Sequence, residues 1–217
     1  MFKSFLGLLI ATMPLFSNAN EEPDYDVVQQ LQGAEIRQYQ PYVVAQVLVA
    51  GPAEDAGNQA FPILAGYIFG KNKGEKKFAM TAPVTQTAQP TKLEMTAPVM
   101  QEPAAGGFMV QFVLPKGVTL ATAPEPLDAR VQLRQVPGNR VAVVRYSGLW
   151  SQSNYDEHLA NLQATLKAAQ IAWTGVPTLS RYDPPFTPWF MRRNEIWLNV
   201  QPQAQPGSEP TPTPSKP

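Results

Sequence analysis

One histidine and no cysteine limit the catalytic chemistry that this 217-residue chain can offer. Without cysteine there is no thiol nucleophile, no thiolate metal ligand and no disulfide. His158 falls in a predicted helix, about 75° from the centre of the apolar stripe at 100° per residue. That position is typical of a half-exposed structural histidine, and the alternatives are a haem or metal ligand and a catalytic base.

A carboxylate and a phenol near the C-terminus offer a second kind of chemistry. Glu195 in an apolar groove would have a raised pKa, and with Tyr182 it could form the acid–base pair of a hydrolase. The structural alternative is that Glu195 caps a strand or pairs with Arg192 or Arg193. We favour the structural alternative and therefore predict no catalytic residues.

Aromatic residues are concentrated in the same part of the chain. Pro184, Pro185 and Pro188 stiffen the segment. Aromatic side chains on a rigid loop are suited to stacking on a flat ligand. The alternative is a lid that plugs the end of a sheet. The aromatic residues are Tyr182, Phe186, Trp189, Phe190 and Trp197.

Two helices and a set of strands must position these side chains. Apolar spacing predicts a helix at Ser151–Gln170, with Ser151 or Ser153 as its N-cap. A second helix is predicted at Glu54–Phe69, where Pro62 should kink or restart it. The predicted strands are Tyr25–Gln30, Ala34–Val49 with a bend near Pro41, Phe108–Leu114, Arg130–Val136 and Arg140–Tyr146 as a hairpin, Thr178–Tyr182 and Glu195–Val200.

The phrase MTAPV occurs twice, at Met80–Val84 and Met95–Val99. Its two copies flank a turn-prone segment, which predicts a β-hairpin with a proline break in each arm. Methionine is a flexible gap filler, so Met80 or Met95 could line an apolar cleft. The motif is therefore predicted to be architectural.

The chain also repeats itself on a larger scale, because the patterns at Glu35–Val47 and Gln132–Val144 lie about 97 residues apart. Each is followed by a predicted helix and further strands. This predicts an α+β fold: duplicated strand-strand-helix-strand units that form a distorted antiparallel sheet or open barrel with two helices.

Taken with the doubled MTAPV, four further segments resemble the SOUL/haem-binding protein family, from about residue 23 to residue 200. They are Ala34–Tyr39, Gly66–Asn72, Tyr182–Pro185 and Arg192–Leu198. The resemblance implies a pseudo-symmetric fold with a ligand groove between its halves. It also implies a tetrapyrrole beside the first helix, in contact with Phe61, Leu64 and Ala65.

Family members that use an axial histidine carry it where this chain has Gln38. The basic helix residues that pair with propionates correspond here to Asn58 and Gly66. The resemblance therefore implies weak haem binding without an axial histidine. A propionate partner could come instead from Lys71, Lys73, Arg181 or Arg192, and the full predicted binding set is Phe61, Leu64, Ala65, Met80, Met95, Tyr182, Trp189, Arg192 and Glu195, with no metal ligands.

The two ends of the chain predict an exported protein. Residues 1–19 have the pattern of a cleaved signal peptide, residues 20–200 form the domain, and the Pro/Thr-rich residues 201–217 should be disordered. Loss of Lys3 leaves 16 basic and 17 acidic residues, a net charge of −1. We expect a periplasmic or secreted monomer that binds no nucleic acid and is not inserted in a membrane after cleavage.

The leading interpretation is thus a binding protein for haem or a related tetrapyrrole, without redox catalysis. One alternative is a binding module of the same fold for another flat or cationic amphiphile. The hydrolase that would use Glu195 and Tyr182 is the third.

Overall fold

A computed structural model describes residues 21–88, 107–184 and 186–201. The second MTAPV copy, with Met95, all of the predicted signal peptide and residues 202–217 of the predicted tail lie outside these residues. The strands are β1 (Tyr25–Leu31), β2 (Ala34–Tyr39), β3 (Tyr42–Ala50), β4 (Val84–Ala88), β5 (Gly107–Val113), β6 (Gln132–Val136), β7 (Arg140–Tyr146), β8 (Trp173–Arg181) and β9 (Asn194–Val200). The helices are α1 (Ala53–Ile68) and α2 (Gln152–Ala168), with a 3₁₀ turn at Trp189–Met191.

The nine described strands form one antiparallel sheet in the order β1-β2-β7-β9-β8-β4-β5-β3-β6. Apart from the edge strand β1, this order is symmetric about the β8–β4 pair, so the two repeated units meet at the centre of the sheet. The predicted α+β fold and duplication are confirmed. The sheet is open rather than a closed barrel, because β1 and β6 at its two ends do not pair with each other.

One predicted strand and one predicted hairpin are wrong, because strands that are neighbours in sequence do not pair with each other here. The predicted strand Ala34–Val49 is divided at Gln40 and Pro41, and its halves β2 and β3 lie in opposite halves of the sheet. The predicted hairpin of β6 and β7 does not form, because β6 pairs with β3 while β7 pairs with β2 and β9.

Both helices pack on one face of the sheet. α1 covers alternate residues of β3 and β5, and α2 covers those of β7 and β9. Ser151 caps α2 by accepting a hydrogen bond from the Asn154 amide at 3.3 Å, as one predicted alternative has it. Pro62 lies inside the continuous helix α1.

In the described part of the chain, no helix combines the length and the apolar character needed to cross a membrane.

The first MTAPV copy leads into β4 rather than forming a strand itself. Only Val84 belongs to the strand. Thr81 is buried and its hydroxyl donates a hydrogen bond to the Val113 carbonyl, while Met80 packs against the α1 core. This copy therefore anchors the entry to the central strand.

Candidate functional site

A groove opens between the two helices, over the central strands β4 and β8. Its cavity has a volume of about 550 Å³, within the range of small-molecule sites. Three of its aromatic residues come from the second half of the chain. The lining residues are Ala53, Glu54, Gln86, Ala88, Phe108, Tyr146, Trp150, Ser151, Gln152, Tyr155, Val176, Pro177, Leu179 and Arg181.

Strand alternation and short polar contacts fix the walls of the groove. On β8, Leu179 and Arg181 face the helices, while Ser180 faces the other side. The Gln86 amide donates to the Ala53 carbonyl at 2.8 Å, which ties β4 to the first turn of α1. The Trp150 indole donates to Asn194 Oδ1 at 2.8 Å, which holds the ring beside the N-terminus of α2.

Two guanidinium groups lie against the same indole ring. Arg181 Cζ is 4.6 Å and Arg192 Cζ is 4.3 Å from the centroid of Trp150, within cation–π range. Burial lowers the pKa of Arg181, and the nearby Arg192 charge lowers it further, although Tyr146 acts in the opposite direction. Arg181 Nε is shielded from solvent and has no hydrogen-bond partner among the described residues.

A second cluster of charges lies on the opposite face of the sheet, around Glu195. This carboxylate is 0% exposed and accepts hydrogen bonds from four side chains. Arg37 donates to both of its oxygens at 2.9 and 3.1 Å, and Arg193 donates to Oε1 at 2.8 and 3.0 Å. The Tyr182 hydroxyl and the Trp197 indole donate to Oε2 at 2.7 and 2.9 Å.

The electrostatics of this cluster are those of a satisfied ion pair. Burial alone would raise the pKa of Glu195, but its bonds to Arg37 and the charges of Arg37 and Arg193 outweigh burial and lower it. Burial, followed by the Glu195 charge, raises the pKa of Tyr182. Glu195 is therefore paired with Arg193, as the structural alternative predicts. The hydrolase hypothesis requires a raised Glu195 pKa and a carboxylate that a substrate can reach, whereas this pKa is lowered and the side chain is fully buried.

The other predicted binding residues are dispersed over the molecule. Leu64 and Ala65 are buried in the core between α1 and the sheet. Phe61 is half exposed on α1, with its ring 5.6 Å from that of Phe112. Trp189 is exposed in the 3₁₀ turn. Arg192 does not line the cavity itself but contacts the ring of Trp150, which does.

Of the four predicted carboxylate partners, Arg181 is the one that lines the groove. Lys73 is ion-paired with Glu125 at the surface, at 2.6 Å. Gln38 lies on β2, which β7 and β9 separate from the central strand β8. Sequence reasoning missed Trp150, whose one signal is an aromatic residue directly before the N-cap of α2.

His158 lies behind the groove wall rather than in it. Its ring stacks on that of Tyr146 at a centroid distance of 4.2 Å, and its Nδ1 is 2.7 Å from the Asn154 carbonyl oxygen. This fits the predicted structural role. Within residues 21–88, 107–184 and 186–201, no group of three or more acidic, histidine or cysteine side chains is placed to hold a metal ion.

Comparison with known proteins places the chain in a family. A family model described as SOUL heme-binding protein matches residues 20–199. A mouse protein named heme-binding protein 1 is 27% identical over 148 residues, which cover 68% of this chain and 73% of that protein.

Solved structures share the fold. The EcmrR C-terminal domain superposes with a TM-score of 0.56 at 13% identity, covering 80% of this chain and 99% of that domain. A hydrolase from Listeria innocua superposes with a TM-score of 0.53 at 13% identity, covering 80% and 94%. At these identities the two structures show the fold alone. Because the family model matches well over half of the sequence, the chain belongs to the SOUL heme-binding protein family.

Proposed function

We propose that this chain is an exported binding protein that holds haem or a related tetrapyrrole in the groove between α1 and α2, without redox turnover. The observation that carries the proposal is the apolar, aromatic-lined cavity of about 550 Å³ where the two repeated units meet. The family membership and the name of the mouse relative support the choice of ligand.

The residues of the groove fit such a ligand. Phe108, Leu179 and Val176 provide apolar surface, and burial of apolar area stabilises a complex by roughly 25 cal/mol per Å². Tyr146 and Trp150 add aromatic surface on the α2 side. Arg181 supplies a positive charge at the wall of the cavity.

The lining side chains favour apolar retention over axial ligation. His158 is not among them, and its Nδ1 already contacts the Asn154 carbonyl. Burial raises the pKa of Tyr146 to about 12 and also raises that of Tyr155, so both remain phenols at neutral pH. We infer that the groove holds the macrocycle by contact with its faces and edges.

The alternative of a cationic amphiphile is less favoured by the same geometry. Arg181 and Arg192 lie on one indole at the groove, and a cationic ligand would have to approach both charges. Glu54 is the one acidic side chain among the lining residues. The lining itself carries one cation and one carboxylate, and the second cation beside the Trp150 indole favours an anionic or neutral ligand.

Export is proposed from the sequence pattern of residues 1–19. N-terminal sequencing of protein recovered from the periplasm or medium should begin after Ala19. A product that retains Met1, or one recovered only with membranes, would contradict export without affecting the ligand proposal.

The groove is tested by haem titration, followed by Soret absorbance, with a matched pair of variants. Val176 is 37% exposed and lines the cavity, whereas Val27 is 43% exposed on the edge strand β1 and does not. Val176→Trp should fill the groove and weaken haem binding at least tenfold, and Val27→Trp should bind like the wild type. Equal binding by both variants would place the ligand elsewhere.

A further inference from the structure

Arg181 is a cation without a counter-ion in the described chain. Among the described residues, no acidic side chain lies within ion-pair distance of it, and its Nε is enclosed without a hydrogen-bond partner. Folded proteins rarely enclose a charged donor without satisfying it. The guanidinium as a whole lines the cavity, so a ligand there can supply the missing counter-charge.

The surroundings of Arg181 contain one further cation and one carboxylate, Glu54 in the first turn of α1, which lines the cavity but forms no ion pair with Arg181. Arg192 stacks on the same Trp150 ring. Both helices start at the groove, because Ala53 is the first residue of α1, Gln152 is the first of α2, and both line the cavity. Helix N-termini carry partial positive charge and favour anions.

Gly57 lets the guanidinium approach the first helix closely. A Cβ atom at this position would lie 3.2 Å from Arg181 Nη1. Glycine in the interior of a helix is unfavourable relative to alanine, so its presence in α1 needs a packing reason. Room for Arg181 provides that reason.

We propose that the groove selects flat apolar ligands that carry a carboxylate, and that Arg181 is the group that receives it. This rests on the proposed function and deepens it by naming the chemical group that is recognised. A guanidinium can bind a carboxylate through two parallel N–H···O bonds. The Trp150 ring, 4.6 Å from Arg181 Cζ, holds the guanidinium at the wall of the cavity.

The test compares an acid with its ester on the full chain. Tryptophan fluorescence quenching is measured with protoporphyrin IX and with its dimethyl ester, for the wild type, Arg181→Met and Arg130→Met. Arg130 is an exposed arginine paired with Asp128 and does not line the groove, so it is the matched control. Melting curves verify that each variant is folded.

We expect Arg181→Met to weaken binding of the diacid by about tenfold or more, the order of a charge-assisted hydrogen bond. Binding of the diester should change by less than about twofold, and Arg130→Met should bind both ligands like the wild type. Equal weakening of acid and ester would show that Arg181 only shapes the groove. Unchanged binding of the diacid would also overturn the proposal.

A second ligand pair separates this inference from the tetrapyrrole proposal. cis-Parinaric acid and its methyl ester are fluorescent, apolar and unrelated to porphyrins. If the wild type binds no porphyrin but binds the parinaric acid in an Arg181-dependent manner, the carboxylate inference holds and the tetrapyrrole proposal fails. If neither acid binds in preference to its ester, the carboxylate inference fails as well.

Discussion

The two faces of the β8–β9 strand pair differ in whether their charged side chains are paired. On the face away from the helices, Glu195 is fully buried and is bonded to Arg37 and Arg193. On the helix face, the side chain of Arg181 has a shielded Nε without a hydrogen-bond partner and forms no ion pair with any described residue. Only a few residues separate these side chains along strands that are paired with each other.

The difference separates a structural site from a binding site. A buried charge that is fully paired has its hydrogen-bonding needs met within the protein, and a ligand could reach it only by displacing its partners. A shielded charge without a partner is unfavourable in the free protein, and a ligand of opposite charge removes that cost. Local conflicts of this second kind are expected where a protein binds something.

The largest expected effect comes from removing the buried carboxylate. Glu195→Ala removes the fully buried carboxylate that Arg37 and Arg193 share and leaves them only the more exposed Glu35 and Glu22, and breaking a buried pair costs about 3–5 kcal/mol. The free energy of unfolding, measured by urea denaturation, should fall by that amount. Glu125→Ala breaks the exposed pair with Lys73 and should cost less than about 1 kcal/mol. Similar losses in the two variants would mean that the Glu195 cluster is not structural.

Acid titration sharpens the same contrast. The folded-state pKa of Glu195 lies below its value of about 4.3 in the unfolded chain. Its stabilising contribution is therefore complete above about pH 4.3 and is lost as the pH falls through the folded-state pKa. Below pH 4, the unfolding free energy of the wild type should decrease more steeply with acid than that of Glu195→Gln. Parallel curves for the two proteins would contradict the lowered pKa.

Removing the unpaired cation should have the opposite sign. In the ligand-free protein, an unsatisfied buried donor destabilises the fold by about 1–3 kcal/mol, and Arg181→Met removes that cost. The same substitution loses the cation–π contact with Trp150, which stabilises the fold by about 0.5–1 kcal/mol. The free energy of unfolding should rise by about 1 kcal/mol. A clear loss of stability would show that Arg181 is a structural residue like Arg37, and the contrast between the two faces would disappear.

Much of the fold could be predicted because its elements are strongly patterned. The periodicity of Ser151–Gln170 identified α2 to within two residues at its C-terminus, and Arg140–Tyr146 matched β7 in full. Pairing could not be predicted in the same way. Ala34–Val49 contains continuous strand-like sequence, yet its two parts pair in opposite halves of the sheet, because partners are chosen by contacts from distant parts of the chain.

The site was less predictable for a related reason. The groove is lined by segments that are distant in sequence and meet only when β4 pairs with β8. They include the start of α2 with Trp150 and Tyr155, β8 with Leu179, and β5 with Phe108. Arg181 and Tyr182 are neighbours in sequence, but Arg181 lines the groove while Tyr182 bonds to Glu195 on the other face. Shifting the register by one residue exchanges the faces, so residue type alone could not distinguish the two roles.

The smallest expected effect concerns His158, which lies just behind the groove. Its ring contacts the outer side of Tyr146, and aromatic stacking of this kind is worth about 0.5–1.5 kcal/mol. His158→Ala should therefore lower the unfolding free energy by about 1 kcal/mol or less, while haem affinity and the position of the Soret band should change little.

Tyr146→Phe is the matched control for His158→Ala, because it keeps the ring that separates His158 from the cavity and removes only the hydroxyl. If His158→Ala abolished the Soret shift while the melting temperature stayed near that of the wild type, His158 would be an axial ligand. The tetrapyrrole would then lie on the far side of Tyr146, and the groove residues on the helix face would no longer account for its binding.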